Sequence, residues 1–182
     1  NPLLLSVRSG SAISLPGMMS SFLNVGINEE IAEGLSQKKG YAWAAWDCYR
    51  RFLQFWGMSE GLDRDFFDEI IDDFKEKYKV SKKLYFTPDQ MREIALAYRK
   101  ALENSGIAVE DDPNEQLRKD VFKVIESWHS PRAELYRHEM NISDKWGTAV
   151  VVQSMVFGNL DEWSGSGVTF TRDPKGLAGS VL

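Results

Sequence analysis

Residues 6–25 have the sequence Ser-Val-Arg-Ser-Gly-Ser-Ala-Ile-Ser-Leu-Pro-Gly-Met-Met-Ser-Ser-Phe-Leu-Asn-Val. An apolar run over residues 3–7 predicts a buried strand, which would carry Arg8 at its end and aim it outward. The small residues after Arg8 leave backbone N–H groups uncovered, and such groups in a tight turn form a concavity that attracts phosphate. A neighbouring guanidinium adds charge-assisted hydrogen bonds. The segment therefore predicts an anion-binding loop, while a plain connection remains the alternative for Ser/Gly/Pro-rich sequence.

The composition narrows the class of protein. With 182 residues, of which 43% are hydrophobic and 27% charged, the chain can bury a sizeable core and shows no bias towards disorder. A net charge of −5 argues against a general nucleic-acid surface, which needs a positive field. The single cysteine, Cys48, permits no internal disulfide, which fits a reducing compartment and a cytoplasmic location. No apolar run is long enough for a membrane span, and because Asn1 is not an initiator methionine we expect a piece of a longer protein.

Residues 28–140 are predicted to be helical throughout. Apolar residues recur at three- and four-residue intervals in several segments, as expected for helices with one buried face. Helix-start signals lie at Asn28, Asp65, Thr87, Asp112 and Ser130, and the segment at 41–56 is predicted from its periodicity. Between residues 41 and 56 the recurring residues are mostly aromatic. This stripe favours a core helix over its alternative use as a stacking platform for a nucleotide base.

The charged residues on these helices are expected to have ordinary roles. Arg50 and Arg51 lie off the aromatic stripe and are predicted to be solvated. An acidic row on the outer face of one helix could bind Mg²⁺, but solubilising charge is the commoner role, and the row comprises Asp68, Glu69, Asp72 and Asp73. His129 and His138 are too far apart to form a metal-binding pair on one helix, and no nucleophile motif lies near them, so we expect no catalytic role for either.

β-branched residues return near the end of the chain. The run at 149–157 predicts a strand, and the alternation at 168–172 predicts a second strand of an antiparallel meander. Gln153, Met155 and Val156 stand at the end of the first strand. Backbone groups there can pair with the edge of an adenine ring, while the Met155 and Val156 side chains cover its face. From the residues alone, however, this is an ordinary strand end.

A Gly/Ser turn connects the two predicted strands. Its sequence, Ser-Gly-Ser-Gly at 164–167, can place backbone amides over phosphate groups. The signal is weak by itself, because the chain contains no Gly-x-x-x-x-Gly-Lys-Ser/Thr sequence.

Four runs of sequence resemble the nucleotide-binding domain of the pyruvate, phosphate dikinase family. They are Ser-Val-Arg-Ser-Gly-Ser at 6–11, Leu-Pro-Gly-Met-Met at 15–19, Val-Gln-Ser-Met-Val-Phe-Gly-Asn at 152–159 and Ser-Gly-Ser-Gly-Val-Thr-Phe-Thr-Arg-Asp-Pro at 164–174. The resemblance implies an α+β fold, namely a fragment of an ATP-grasp-like nucleotide-binding domain with a large inserted helical subdomain. It implies three parts, which are a strand and phosphate-binding loop (1–27), the helical subdomain (28–140), and an antiparallel β segment with an adenine hinge (141–182).

The resemblance also implies a reaction. The family transfers the β-phosphoryl group of ATP to a histidine on another domain of the same chain, with phosphate as the second acceptor, giving AMP and pyrophosphate. The phosphohistidine domain then converts pyruvate to phosphoenolpyruvate at a separate barrel domain. The implied cofactors are ATP and Mg²⁺, the metal being bound mainly by residues outside these 182. The partners would be ATP, phosphate and the phosphohistidine domain, with neither nucleic acid nor membrane, and the full-length family protein is expected to be a homodimer.

Site residues follow from the matching motifs. Arg8 would be the catalytic, phosphate-binding arginine. The remaining nucleotide contacts implied by the resemblance are Gly17, Met19 and Ser21 in the loop over the phosphates, Gln153, Met155 and Val156 at the adenine hinge, and Ser166 and Gly167 in a second phosphate-covering loop. No metal ligand is implied within the chain.

The chain departs from the family pattern at several points. The family commonly has Asp-Thr where this chain has Ser20-Ser21, and no Gly-Gly-x-x-Ser-His run is present. An early lysine would precede Asn1, and the Mg²⁺ ligands would follow Leu182, so the isolated piece is expected to be inactive. Two alternatives stay open. One is phosphoenolpyruvate synthase or an antibiotic phosphotransferase of the same fold, and the other is a helical interaction module that binds no nucleotide.

Overall fold

The computed structural model describes residues 2–13, 15, 17–161, 163–167 and 169. Within these residues the chain forms strands and helices in separate runs, which confirms the predicted α+β class. The strands are β1 (Leu5–Ser9), β2 (Ser21–Val25) and β3 (Val150–Ser154). The helices are α1 (Glu29–Ser36), α2 (Ala42–Ser59), α3 (Arg64–Tyr78), α4 (Pro88–Asn104), α5 (Pro113–Glu126) and α6 (Pro131–Glu139), with 3₁₀ turns at Lys83–Tyr85 and Ser127–His129.

The three strands form one antiparallel sheet in the order β2-β1-β3. The sheet therefore joins the two ends of the described chain, and the helices lie between them in sequence. The predicted strand at 149–157 is confirmed over Val150–Ser154, whereas the predicted strand at 168–172 lies outside the described residues apart from Thr169.

The first predicted strand is displaced by two residues. It was expected at 3–7 with Arg8 at its end, but β1 spans Leu5–Ser9, and Arg8 is its exposed penultimate residue. The expectation of a continuous loop over 6–25 is wrong at both ends, because β1 and β2 occupy them.

Strand β2 contains a β-bulge. Val7 pairs with Phe22 while Leu5 pairs with Val25, so β2 carries one residue more than the facing segment of β1. Asn24 lies in the bulge with φ +61°. Asparagine tolerates this left-handed conformation better than most residues, because its short side chain can bond locally. The bulge breaks the alternation of buried and exposed residues that would have revealed β2 in the sequence.

Four predicted helix starts are confirmed by their caps. The side chains of Asn28, Thr87, Asp112 and Ser130 each accept hydrogen bonds from backbone N–H groups in the first turns of α1, α4, α5 and α6. The fifth start was placed two residues too late, because Asp63 rather than Asp65 occupies the cap position of α3. Asp65 instead lies in the first turn, where a negative charge favours the helix dipole.

The aromatic stripe of α2 is the centre of the helical core. Tyr49, Phe52 and Trp56 are almost inaccessible to solvent and pack in one cluster with residues of α3 and α4. Gly57 continues this face and lets the neighbouring helices approach closely. A Cβ atom there would lie 2.6 Å from Cδ2 of Leu102 and 2.6 Å from Cζ of Phe67. The stripe is therefore packing surface, as predicted, and is not available to stack on a base.

A second, smaller core lies between the sheet and α5. Val7, Phe22 and Val25 pack there with Val124. The polar residue Gln116 is also buried, and its side chain ties the end of β2 to α5. Its Oε1 accepts from Gly26 N at 2.8 Å, and its Nε2 donates to the carbonyl oxygens of Ile27 and Glu110.

The predicted solvation of Arg50 is wrong. Its side chain is only 4% exposed and donates to Asp47, one turn earlier on α2. The periodicity of apolar residues placed Arg50 outside the stripe correctly, but it could not show that a buried carboxylate on the same face would hold the guanidinium. Arg51 is partly solvated, with 43% of its side chain exposed.

Candidate functional site

Arg8 lies in the middle strand of the sheet, close to two other predicted site residues, Ser21 and Gln153. It stands opposite Ser21 of β2 and Val151 of β3. Its Nη2 donates to Oε1 of Gln153 at 2.5 Å. Side chains of directly paired residues project from the same face of an antiparallel sheet. The fold therefore gathers Arg8, Ser21 and Gln153 on one exposed face, although 145 residues separate Arg8 from Gln153.

Met155 is fixed at the point where β3 ends. Its backbone N–H donates to the carbonyl oxygen of Leu4 at 2.9 Å, which continues the pairing with the residue before β1. Its Sδ accepts from the backbone N–H of Asn24 at 3.2 Å. The bulge in β2 thus turns an N–H group towards the thioether, and both neighbouring segments set the position of Met155.

A pocket of about 200 Å³ opens beside Met155. It brings together three predicted site residues, Met155, Val156 and Ser166, with several that the sequence did not identify. The other lining residues are Leu23, Asn24, Cys48, Arg51, Phe157, Gly158 and Asn159. Apolar side chains and a few polar groups in one concavity are typical of a small-molecule site.

The two predicted nucleotide-binding segments meet at Gly158. A Cβ atom on this residue would lie 3.1 Å from the carbonyl oxygen of Gly165 and 3.3 Å from Cβ of Ser166. Glycine at 158 is therefore what lets the segment after β3 and the Gly/Ser turn approach this closely. The contact places Ser166 at the rim of the pocket.

A second cavity of about 590 Å³ adjoins the pocket and shares Arg51, Gly158 and Asn159 with it. Lys83 and Ser164 also line this cavity, together with Trp43, Leu84, Leu160 and Asp161. Arg51 and Lys83 supply two positive charges against one lining carboxylate, Asp161. We call these two neighbouring cavities the combined cavity. Met155, Val156 and Phe157 line what we call its apolar end, Lys83 lines its cationic end, and Arg51 lines both.

Asp47 lies beneath the cationic end and is inaccessible to solvent. Burial alone would raise the pKa of its carboxyl, but the positive charges of Arg50, Lys83 and Arg51 together lower it to about 2. Burial in turn lowers the pKa of Lys83, against the attraction of Asp47. Asp47 is accordingly a carboxylate at any physiological pH, and it compensates only part of the positive charge around it.

The remaining predicted contacts lie elsewhere. Met19 is close to Ser127, whose Oγ lies 3.9 Å from Sδ of Met19 and accepts from Ser20 N at 3.1 Å. The loop is thus attached to the C-terminal end of α5. Gly17 is exposed with φ +70°, a conformation that favours glycine, and Gly167 is also exposed. Neither Gly17, Met19 nor Gly167 lines the two cavities.

Cys48 has the surroundings of an unreactive thiol. Burial, followed by the negative charge of Asp47, raises the pKa of Cys48 to about 11, so its thiol stays protonated and unreactive. Over the described part of the chain, His, Cys, Asp and Glu form no group of three or more that could hold a metal ion. Among the described helices, none combines the length and hydrophobicity needed to cross a membrane.

Sequence reasoning missed Asn24, Arg51 and Asn159 as pocket residues. Arg51 belongs to an Arg-Arg pair on an amphipathic helix, a pattern that indicates only solvation. Asn159 falls within one of the four family-like runs, and that run was the one available signal for it. Asn24 owes its place to the bulge, which has no sequence signature of its own.

Fold and pocket together define a class, an α+β ligand-binding domain whose site lies where the sheet meets the helices. The family follows from sequence comparison. Residues 1–182 match the family described as pyruvate phosphate dikinase, AMP/ATP-binding domain, and the chain belongs to that family. The resemblance deduced from the four runs is thereby confirmed.

Several relatives show the same relationship. The chain is 45% identical over 177 residues to pyruvate, phosphate dikinase of Giardia intestinalis, with 96% of this chain and 20% of the relative covered. It is 42% identical over 191 residues to the dikinase of Clostridium symbiosum, covering 100% and 22%. It is 43% identical over 175 residues to the chloroplastic pyruvate, phosphate dikinase 1 of Zea mays, covering 95% and 18%. The chain thus spans about a fifth of the length of these relatives.

Proposed function

We propose that this chain is the nucleotide-binding part of an enzyme that converts ATP, pyruvate and phosphate to AMP, phosphoenolpyruvate and pyrophosphate. The β-phosphoryl group would pass to a histidine on another domain of the full-length protein. Membership of a family named for AMP/ATP binding supports this proposal over the helical interaction module. The names of the matched relatives support a dikinase over phosphoenolpyruvate synthase or an antibiotic phosphotransferase.

The observation that carries the proposal is the contact between Arg8 and Gln153. The bond of 2.5 Å fixes the orientation of an otherwise exposed guanidinium, so its remaining N–H groups can bind phosphate oxygens. A donor that is oriented before the substrate binds needs no reorganisation when charge develops in the transition state. Arg8 is therefore the proposed catalytic residue, and Gln153 holds it.

We assign the two ends of the combined cavity to different parts of the nucleotide. Met155 and Val156 would cover the adenine ring at the apolar end, because the soft thioether and the aliphatic side chain suit its face. Ser166, with Gly167 and the loop that contains Gly17, Met19 and Ser21, would lie over the phosphates. The Gln153 side chain is engaged with Arg8, so any part it plays at the adenine hinge would fall to its backbone.

The architecture we propose is an ATP-grasp-like core formed by residues 1–27 and 141–182, with residues 28–140 as an inserted helical subdomain. Two facts support it, namely that β1 and β3 pair in one sheet and that six helices lie between them in sequence. Strands β1 and β2 also pack against α5 of the inserted segment, so the proposed parts share one small core.

Mg²⁺ would accompany ATP, bound mainly by residues outside this segment. The side chains at the cationic end support that division, because Arg51 and Lys83 repel a divalent cation and, among the described residues, Asp161 is the one carboxylate that lines the larger cavity. When bound to the phosphates, the metal would supply charge neutralisation. The phosphohistidine domain as a partner, the homodimer and the cytoplasmic location are further parts of the proposal.

The test replaces Arg8 in the full-length protein that contains this segment. A charge-assisted hydrogen bond contributes about 1.5–3 kcal/mol, so the loss of one or two such bonds in Arg8→Ala should slow the ATP half-reaction by about tenfold to several-thousandfold. Arg8→Lys should restore activity only in part, because one ammonium cannot reproduce the planar fork. The pyruvate half-reaction, measured as isotope exchange between pyruvate and phosphoenolpyruvate on phosphorylated enzyme, should be unchanged.

Arg118→Lys is the matched control, since Arg118 is an exposed arginine paired with Glu115 on α5, away from the sheet face that carries Arg8. It should leave both half-reactions unchanged. Equal losses in the two half-reactions of Arg8→Ala would show that Arg8 is structural and would contradict the proposed site.

A further inference from the structure

Asp47 connects three separate segments of the chain. Its carboxylate accepts from Nε of Arg51 on α2 at 2.9 Å, from Nζ of Lys83 in the 3₁₀ turn at 3.1 Å, and from Nδ2 of Asn159 after β3 at 3.1 Å. It also accepts from Nε and Nη2 of Arg50. Arg51, Lys83 and Asn159 all line the larger cavity, whereas Asp47 itself does not.

This arrangement suits a positioning role better than a purely structural one. Arg50 is itself buried and donates two bonds to Asp47, but both reach Oδ1, so Oδ2 accepts from Arg51 and Asn159 instead. The three further donors come from partly exposed groups at the cavity wall, one of which lies 112 residues away in sequence. A buried ion cluster gives little net stability compared with apolar packing of the same volume, but it fixes the geometry of the groups that it binds.

The geometry points to Asp47 as a positioning residue of the nucleotide pocket: it orients Arg51 and Lys83 towards the phosphates and holds the segment after β3 against α2. This inference rests on the proposed function, because it assigns the cavity to ATP. Asp47 never touches the nucleotide and acts through Asn159 and the two cations. Removal of the Asp47 carboxylate should therefore weaken ATP binding and leave the reaction at the pyruvate domain unchanged.

The experiment compares Asp47→Asn and Asn159→Ala in the full-length protein. Asn159→Ala removes the bond between Asp47 and the segment after β3, together with a longer contact of 3.9 Å to Sγ of Cys48. It leaves the buried Arg50 pair intact, so it decides the matter even if Asp47→Asn fails to fold. Two quantities are measured, the KM for ATP beside the KM for pyruvate, and hydrogen–deuterium exchange of residues 155–161. The matched control is Asp111→Asn, which breaks an ion pair with Arg99 away from both cavities.

We expect Asn159→Ala to raise the KM for ATP about tenfold, as for one hydrogen bond to a charged group, with the KM for pyruvate unchanged. Exchange at 155–161 should become faster, and where Asp47→Asn folds, combining it with Asn159→Ala should add less than the sum of the single effects. Asp111→Asn should change neither quantity.

An unchanged KM for ATP in Asn159→Ala, or equal rises in both KM values, would overturn the inference, as would unaltered exchange at 155–161. Failure of the proposed function has a different signature. The unaltered full-length protein would then show no saturable ATP binding, whatever the variants do.

Discussion

We expect Asp120 to make the stability of this domain depend on pH between about 4 and 7. The residue lies on α5, its side chain is inaccessible, and neither carboxylate oxygen has a hydrogen-bond partner among the described residues. Burial raises the pKa of Asp120 from 3.8 to about 7, against the attraction of Lys123. Because the folded state holds the proton more tightly than the unfolded state, this stabilising contribution is complete below about pH 4 and is lost as the pH rises to about 7.

The size of the effect follows from the width of that window. The rise of the Asp120 pKa from 3.8 to about 7 corresponds to about 4 kcal/mol of folding free energy, lost between the pH limits given above. Between pH 4.5 and 7.5 about 3 kcal/mol should be lost. Asp120→Asn cannot ionise, so it should lack this part of the pH dependence. The free energy of unfolding of the variant, relative to that of the parent protein, should therefore rise with pH.

Hydrogen–deuterium exchange of the α5 amides measures this directly in the full-length protein. Local opening needs no assumption that a multidomain chain unfolds in one step. Comparing parent and Asp120→Asn at the same pH cancels the intrinsic pH dependence of exchange. The ratio of protection factors, variant over parent, should grow about a hundredfold between pH 4.5 and 7.5.

The control for this measurement is Glu126→Gln, which neutralises an exposed carboxylate at the end of the same helix. The ratio of protection factors, Glu126→Gln over parent, should not change with pH. A ratio for Asp120→Asn that is also independent of pH would refute the reasoning, because it would mean that Asp120 is either ionised or protonated in both folded and unfolded chains throughout the window.

Three further outcomes are expected. Gly57→Ala should destabilise the helical core by about 1–3 kcal/mol in thermal unfolding, because its Cβ would overlap Leu102 and Phe67, whereas Gly34→Ala, with no atom within 4 Å, should be neutral or stabilising. Asp112→Ala should cost about 1 kcal/mol and speed amide exchange in the first turn of α5, because it removes a cap that accepts from Asn114 N and Glu115 N; unchanged exchange there would contradict the role of the cap. The isolated segment should bind ATP-Mg²⁺ weakly in calorimetry, since phosphoryl transfer sites depend on many contacts acting together, and micromolar affinity would disprove this.

Local signals in the sequence were sufficient to place the helices. Thr87 and Asp112 precede proline and carry their own capping side chains, so the starts of α4 and α5 depend on residues only two or three positions apart. The strands were harder to place, because pairing rather than local pattern defines them. Strand β2 escaped detection because its bulge at Asn24 interrupts the two-residue period.

The candidate site was predictable where local patterns or family-like motifs cover it. The apolar run and the small residues beside Arg8 indicated an anion-binding loop, the motifs gave Arg8 and Gln153 their site roles, and the contact of these two residues joins two of the motifs. The Asp47 cluster was not identified, because it draws on Lys83 and Asn159, which lie 36 and 112 residues away. The residues next to an aspartate in a helical segment do not indicate hydrogen-bond partners that lie so far away in sequence. The same holds for Asp120, whose burial depends on how α5 meets the sheet.

The pairing of β1 with β3 also determines the order in which this domain can be built during synthesis. The helices can form from contacts between nearby residues, whereas the sheet needs two segments about 145 residues apart. At about 5–20 residues per second, β1 leaves the ribosome several seconds before β3. During that interval β2 is the one strand of the described sheet that can pair with the middle strand, and a two-stranded hairpin is marginally stable in water until a helix such as α5 packs on it. We therefore expect Arg8 to acquire its final surroundings in a late step of folding, after the helical core is complete.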